Sequence, residues 1–115
     1  MDQAGSIALS GLQAASLRLD AAASNIVNSD SNAYQPVSVS QSASPGGGVS
    51  ASLQPVTPAF LLAYDPAAPT SNMQSNMDLP SELVTLKLAT HDFRASLLAY
   101  KASAEMFKAL LDATA

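Results

Sequence analysis

At 115 residues, 48% hydrophobic and 12% charged, with a formal net charge of −4, the chain has the length of one domain and lies outside the composition of disordered proteins. It has no Cys, which excludes a disulfide framework and a thiolate metal site, and its acidic balance argues against nonspecific nucleic-acid binding. No apolar run approaches the roughly 20 residues that span a bilayer, and the opening MDQAGSIALS lacks the basic start of a cleavable signal peptide.

Residues 1–28 contain no Pro, and Leu9, Leu12, Ser16, Leu19, Ala23 and Ile26 recur at alternating spacings of three and four. That spacing predicts a helix with a coiled-coil-like seam. The run Asn28-Ser29-Asp30-Ser31-Asn32 should end it, because these side chains bond locally to backbone and compete with helix formation. Residues 33–77 differ in texture. Six of the seven prolines (Pro36, Pro45, Pro55, Pro58, Pro66 and Pro69) and the Gly46-Gly47-Gly48 run fall there, which rules out a long helix. Val37 and Val39 alternate with polar residues before the Pro-Gly turn, and Val49, Ala51 and Leu53 alternate after it, so a weak β-hairpin with a flexible tip is predicted. Phe60, Leu61 and Leu62 read as a short extended segment, and residues 70–77 as a polar linker.

Residues 78–115 carry the clearest pattern. Leu79, Leu83, Leu86, Thr90, Phe93, Leu97, Tyr100, Ala104, Phe107 and Leu111 hold a four-three spacing, and a flanking row of Val84, Leu88, Leu98, Ala102, Met106 and Leu110 widens the apolar face beyond a two-helix seam. Asp78 can cap the start, with Pro80 tolerated in the first turn and Glu82 near the positive end of the dipole. The predicted fold is therefore mainly α: N- and C-terminal helices (residues 1–32 and 78–115) packed as a coiled-coil-like pair, with a small irregular or β-hairpin insertion (residues 33–77), in one structural unit.

No catalytic, cofactor-binding or metal constellation can be assembled, so the sequence predicts a protein that is not an enzyme and has no cofactor. His91 has no second imidazole or thiol as co-ligand, and its neighbour Asp92 points about 100° away around the helix. Asp78 and Glu82 at i and i+4 serve as first-turn residues as readily as an acid-base pair. Gly46 to Gly48 lack the Lys-Ser/Thr and helix start of a phosphate loop. Lys87, Arg94, Lys101 and Lys108 recur every seven residues and read as a solvated edge or salt-bridge partners before an anion stripe. What remains is two amphipathic helices with more apolar surface than one antiparallel pair buries, which calls for partner chains.

These residues resemble a family. Ser10-Gly11-Leu12-Gln13-Ala14, then Ala23-Ser24-Asn25-Ile26-Val27-Asn28, closing at Tyr34, is similar to the SGL-x-A, ANNIAN and T-x-GY signature of bacterial flagellar basal-body rod and hook proteins. Asn76-Met77-Asp78-Leu79, Glu82-Leu83-Val84 and the helix after Phe93 resemble the family's C-terminal NVDL…EMV segment, and Tyr64-Asp65-Pro66 with Pro69 resembles the YDPxHP element of the proximal rod subtype. The motif residues are thus Gly11, Leu12, Asn25, Ile26, Asn28, Tyr34, Asp78 and Leu79. Ser24 replaces an Asn, Asn32 stands where Pro is common, Ala68 where the proximal subtype has His, and Ala33 where the family has glycine, whose positive φ alanine resists.

The resemblance implies a structural subunit of the periplasm-spanning rod, exported by the flagellar type III apparatus without signal cleavage. It would contact other rod subunits, MS-ring components and copies of itself, with no nucleic acid and no membrane insertion. The subunit interface would be carried by Leu9, Leu12, Leu19, Ile26, Leu83, Leu86, Phe93, Leu97, Tyr100, Phe107 and Leu111. A soluble helical adaptor or export chaperone is the alternative from the same pattern.

Overall fold

The computed structural model describes residues 3–57 and 75–114. It is mainly helical, with a long helix at each end of the chain, packed together, and a two-stranded antiparallel hairpin between them in sequence. Helix α1 is Gln3–Val27, strands β1 and β2 are Val37–Ala43 and Val49–Pro55, and helix α2 is Leu79–Thr114. The predicted extended segment at Phe60 to Leu62, the Tyr64-Asp65-Pro66 element and most of the predicted linker lie outside the described residues.

The helices run antiparallel, and their register can be read from three approaches. A Cβ on Gly5 would sit 3.1 Å from the Ser103 hydroxyl, one on Gly11 would sit 2.8 Å from that of Ser96, and Arg18 meets Asp92. Small residues make this line on both sides. Ala8, Ala15 and Ala22 on α1 are buried, and they face Ala89, Ser96 and Ser103 on α2, each set seven residues apart. Residues without bulk let the two backbones approach closely, since interaxial distance follows the side chains at the contact. The row expected to form this seam flanks it instead. Leu86, Phe93 and Leu97 are half-buried beside the Ala89-Ser96-Ser103 line, and Leu9, Leu12, Leu19 and Ile26 are likewise half-buried on α1.

The hairpin lies on α1. Register pairs Val37 with Pro55 and Ala43 with Val49. The Val56 N–H donates to Pro36 O (2.9 Å) and the Ser44 N–H to Gly48 O (3.1 Å) at the two ends of the ladder. Antiparallel alternation then makes Ser38–Gln54, Ser40–Ser52 and Ser42–Ser50 the bonded pairs. Their side chains form an outer face of Ser and Gln. Val37, Val39, Val49, Ala51 and Leu53 share the inner face, as their alternation predicted, and turn their own N–H and C=O groups outward from the ribbon.

The hairpin tip is exposed at Gly46 and Gly47, and it also makes contact with α1. Gly46 alone has open space around it. Gly47 and Gly48 adopt φ of 88° and 87°, where glycine carries no Cβ penalty, and they press against Ile7 and Ser10 of α1. Ser10 completes the attachment: its hydroxyl accepts the Val49 N–H at 3.0 Å and donates to Ile7 O at 2.7 Å.

Candidate assembly interface

The turn after α1 gathers the N-terminal motif. Asn28 closes the helix, since its backbone N–H and its Nδ2 both donate to Ser24 O, at 3.1 and 2.8 Å. Its carbonyl then accepts the Ser31 N–H at 3.0 Å. Asn25, 1% exposed, faces the hairpin. Its Nδ2 donates to Val37 O at 2.7 Å, and its Oδ1 accepts the Val37 N–H at 3.0 Å and the Tyr34 hydroxyl at 3.1 Å. With that hydroxyl proton committed, Ser24 Oγ donates to Tyr34 at 3.0 Å. Asn25 thus acts as a one-residue strand, pairing both outward groups of Val37 in place of a third backbone. Ala33 completes the turn at φ 59°, so alanine takes the left-handed conformation that a glycine would adopt without strain. Gly11 serves the close helix approach at Ser96. Asp78 precedes α2 and its carbonyl accepts the Glu82 N–H at 3.0 Å.

The second feature is the apolar surface of α2. Extending the helix register from Gly5–Ser103 carries residues 106–114 past Gln3, the first described residue of α1. At that point the α1-facing side of α2 changes from small to large: Met106, Phe107, Leu110 and Leu111 follow Ser103 and are 62%, 52%, 62% and 54% exposed. Leu83, Val84, Leu88, Leu98 and Tyr100 add exposed apolar side chains further back along the helix. Of the residues assigned to a subunit interface from sequence, Leu83, Tyr100, Phe107 and Leu111 stand exposed, while the others are half-buried between α1 and α2 or at their margins.

Electrostatics contribute one fixed feature to this region. Arg18 Nη1 donates to Asp92 Oδ2 at 2.6 Å across the helix pair, a contact between side chains 23% and 56% exposed and so of small net worth. Asp92 therefore faces Arg18, not His91. Lys87, Arg94, Lys101 and Lys108 are exposed on the side of α2 turned away from α1. Among the described residues no group of three or more His, Cys, Asp or Glu is placed to hold a metal, and no helix is long and apolar enough to cross a membrane.

Comparison with family models and with characterised protein sequences finds no match to this chain. The functional reading accordingly rests on motif chemistry and on surface.

The interface residues missed from sequence are Gly5, Ala8, Ala15, Ala22, Ala89, Ser96 and Ser103, which make the intrachain contact. Their signal was present as seven-residue repeats of small side chains. It was masked by the larger Leu and Phe residues of the neighbouring rows, such as Leu9, Leu88, Phe93 and Leu97, which dominate any reading weighted by hydrophobicity.

Proposed function

We propose that this chain is a structural subunit of the bacterial flagellar basal-body rod, of its proximal part, and that it carries out no catalysis. Its terminal helices pack in coiled-coil fashion with those of neighbouring subunits. The assembly is a hollow drive shaft that crosses the periplasm, transmits torque and lines the export channel. Its partners are copies of itself, other rod subunits and MS-ring components, and it reaches them through the type III export apparatus.

The observation that carries this reading is the exposed apolar face of α2, largest over residues 106–114. Large apolar side chains on the same helical face that packs on α1 are costly in water and gain most when another helix extends the seam. Support comes also from the motif residues: Asn25, Asn28 and Tyr34 tie the end of α1 to the hairpin, which gives the resemblance a physical basis beyond matching letters. The test is to locate a tagged copy in purified basal bodies. Presence in the rod supports the reading, and exclusion from basal bodies of a motile strain overturns it.

A soluble helical adaptor is the second reading, and it draws on the packing of α1 against α2 within one chain. It requires stable folding of the isolated protein and its presence in the soluble fraction, bound to cargo.

A further inference from the structure

The hairpin offers a second surface that the helices do not explain. Ala51 and Leu53 direct their N–H and C=O groups away from β1, along the outer edge of β2, and Leu53 is half exposed although it belongs to the inner face. Natural edge strands are usually guarded by a charge, a proline, a bulge or a covering element. Here β1 and β2 contain no charged residue, and the single proline of β2, Pro55, is its last residue. Among the described residues, each edge is hydrogen-bonded to α1 at one place, β1 by Asn25 at Val37 and β2 by Ser10 at Val49. Beyond Val49 the β2 edge borders an open groove of about 480 Å³, floored by Gln13, Leu17 and Asp20 of α1.

We infer that this edge pairs with the same edge of a second copy, antiparallel and about a two-fold axis, to make a four-stranded sheet. The register follows from the outward groups that no hydrogen bond among the described residues uses. With Val49 N–H already held by Ser10, the outward groups left are those of Ala51 and Leu53, so Ala51 pairs with Leu53 of the second copy and Leu53 with its Ala51. Four backbone hydrogen bonds form, and the axis passes between the two Ser52 residues.

The helices below fit this arrangement. Strands in a sheet are about 4.8 Å apart, and α1 lies beneath the β1–β2 ribbon, so the two-fold brings the two α1 helices about 9.6 Å apart. That is within the 8–10 Å at which helices pack. The ribbon is anchored near Ser10 at one end and, through Val37 opposite Pro55, at Asn25 at the other. Its midpoint Ser52 therefore overlies Leu17, which meets Leu17 of the second copy at the axis, with Gln13 beside Asp20 of that copy. The opposite edge cannot pair in this way. Val37 and Val39 line a depression with Glu82 and Thr85, so α2 lies beside β1 where the second copy's α1 would have to go. A second copy is thus the occupant that β2 accommodates, and the closed symmetry yields a dimer and no further growth. The exposed end of α2 takes no part, so this inference does not rest on the rod reading.

The test uses the absence of cysteine in the chain. Residues directly opposite in a non-bonded antiparallel pair are close enough for a disulfide, and the two Ser52 residues form such a pair on the exposed outer face. Ser52→Cys should cross-link to a covalent dimer under air oxidation. Gln54→Cys, displaced two residues from the axis, should form it at least tenfold more slowly. Adding Ala51→Pro to Ser52→Cys removes an outward N–H that β1 does not use, and should slow cross-linking to the Gln54→Cys rate. In the wild type, amide exchange at Ala51 and Leu53 should slow as concentration rises, which reads the same contact without any substitution. A Ser52→Cys chain that stays monomeric, equal rates for Ser52→Cys and Gln54→Cys, or exchange at Ala51 and Leu53 that does not change with concentration would each overturn the inference.

Discussion

Asn25 and Val37 are joined by two hydrogen bonds, one to each backbone group of Val37, from a side chain that is 1% exposed. No other contact among the described residues links the end of α1 to the start of β1 in this bidentate way, so the angle at which the chain leaves the helix depends on it. Asn25→Ala should cost about 2–3 kcal/mol, because it strips partners from a partly buried N–H and C=O and leaves a void. Tyr34→Phe removes the part-buried hydrogen bond to Asn25 and the exposed one from Ser24, and should cost about 1 kcal/mol. Urea unfolding of the two variants checks both values; equal and negligible losses would show that the junction is held elsewhere.

Ala33 at φ 59° pays for its Cβ. The left-handed conformation costs an L-residue about 1–2 kcal/mol, part of which glycine returns through its freer unfolded chain. Ala33→Gly should therefore stabilise the chain by about 0.5–1 kcal/mol, and Ala33→Val should destabilise it, since branching at Cβ worsens the same clash. The midpoint of urea unfolding should rise for the first and fall for the second.

The glycine run divides by position. Gly48→Ala places a Cβ at φ 87° against Ser10, whose hydroxyl also holds Val49, and should cost about 2 kcal/mol or more. Gly46→Ala meets nothing and should change stability by less than about 0.5 kcal/mol. Deleting one residue from the run shifts the two constrained glycines and should weaken the Ser10–Val49 attachment, which amide exchange at Val49 would report.

Element types were legible in the sequence for a simple reason. Proline and glycine exclude helix from residues 33–57, while four-three spacing enforces it on either side. The alternation of Val37 and Val39 with Ser placed the inner face of the hairpin correctly. The line of helix contact was not legible in the same way, because periodicity identifies a face about a third of the helix wide and the close approach of Gly5, Gly11 and Ala89 selects small residues at its margin. Three adjacent glycines signal conformational freedom, yet whether that freedom serves flexibility or a tight fit against Ile7 and Ser10 depends on a helix more than thirty residues earlier in the chain. The Asn25–Val37 pairing was hidden for the opposite reason: a helix-end Asn ordinarily caps locally, as Asn28 does.

The isolated chain should be marginally stable. Its buried hydrophobic residues among those described are all alanines, Ala8, Ala14, Ala15, Ala21, Ala22 and Ala89, and each buries little area compared with the roughly 1.5–3 kcal/mol of a buried Leu or Phe. Under the rod reading, assembly would complete the ordering of so weak a core, and the marginal stability would ease passage of the chain through an export channel. Hydrogen exchange on purified protein at low concentration should show rapid exchange over residues 106–114 and only weak protection over residues 10–28. Slow exchange there would favour the adaptor reading.

Phe107 and Leu97 separate folding from assembly. Phe107 is 52% exposed beyond the part of α2 that packs on α1, so Phe107→Asp removes little from the folded single chain and should shift its unfolding by less than about 0.5 kcal/mol. In an assembly whose seam continues over residues 106–114, the same carboxylate lies unpaired in an apolar contact and costs several kcal/mol per interface. Leu97 is half-buried beside the seam with α1, so Leu97→Asp should lower stability by about 2 kcal/mol or more even without partners. Under the rod reading both variants abolish motility, but they do so differently: Phe107→Asp yields a folded subunit that fails to incorporate, and Leu97→Asp a subunit that is also degraded. Immunoblots of whole cells and of purified basal bodies distinguish the two outcomes. Normal incorporation of Phe107→Asp would remove the exposed end of α2 from the interface, and with it the main support for assembly through that helix.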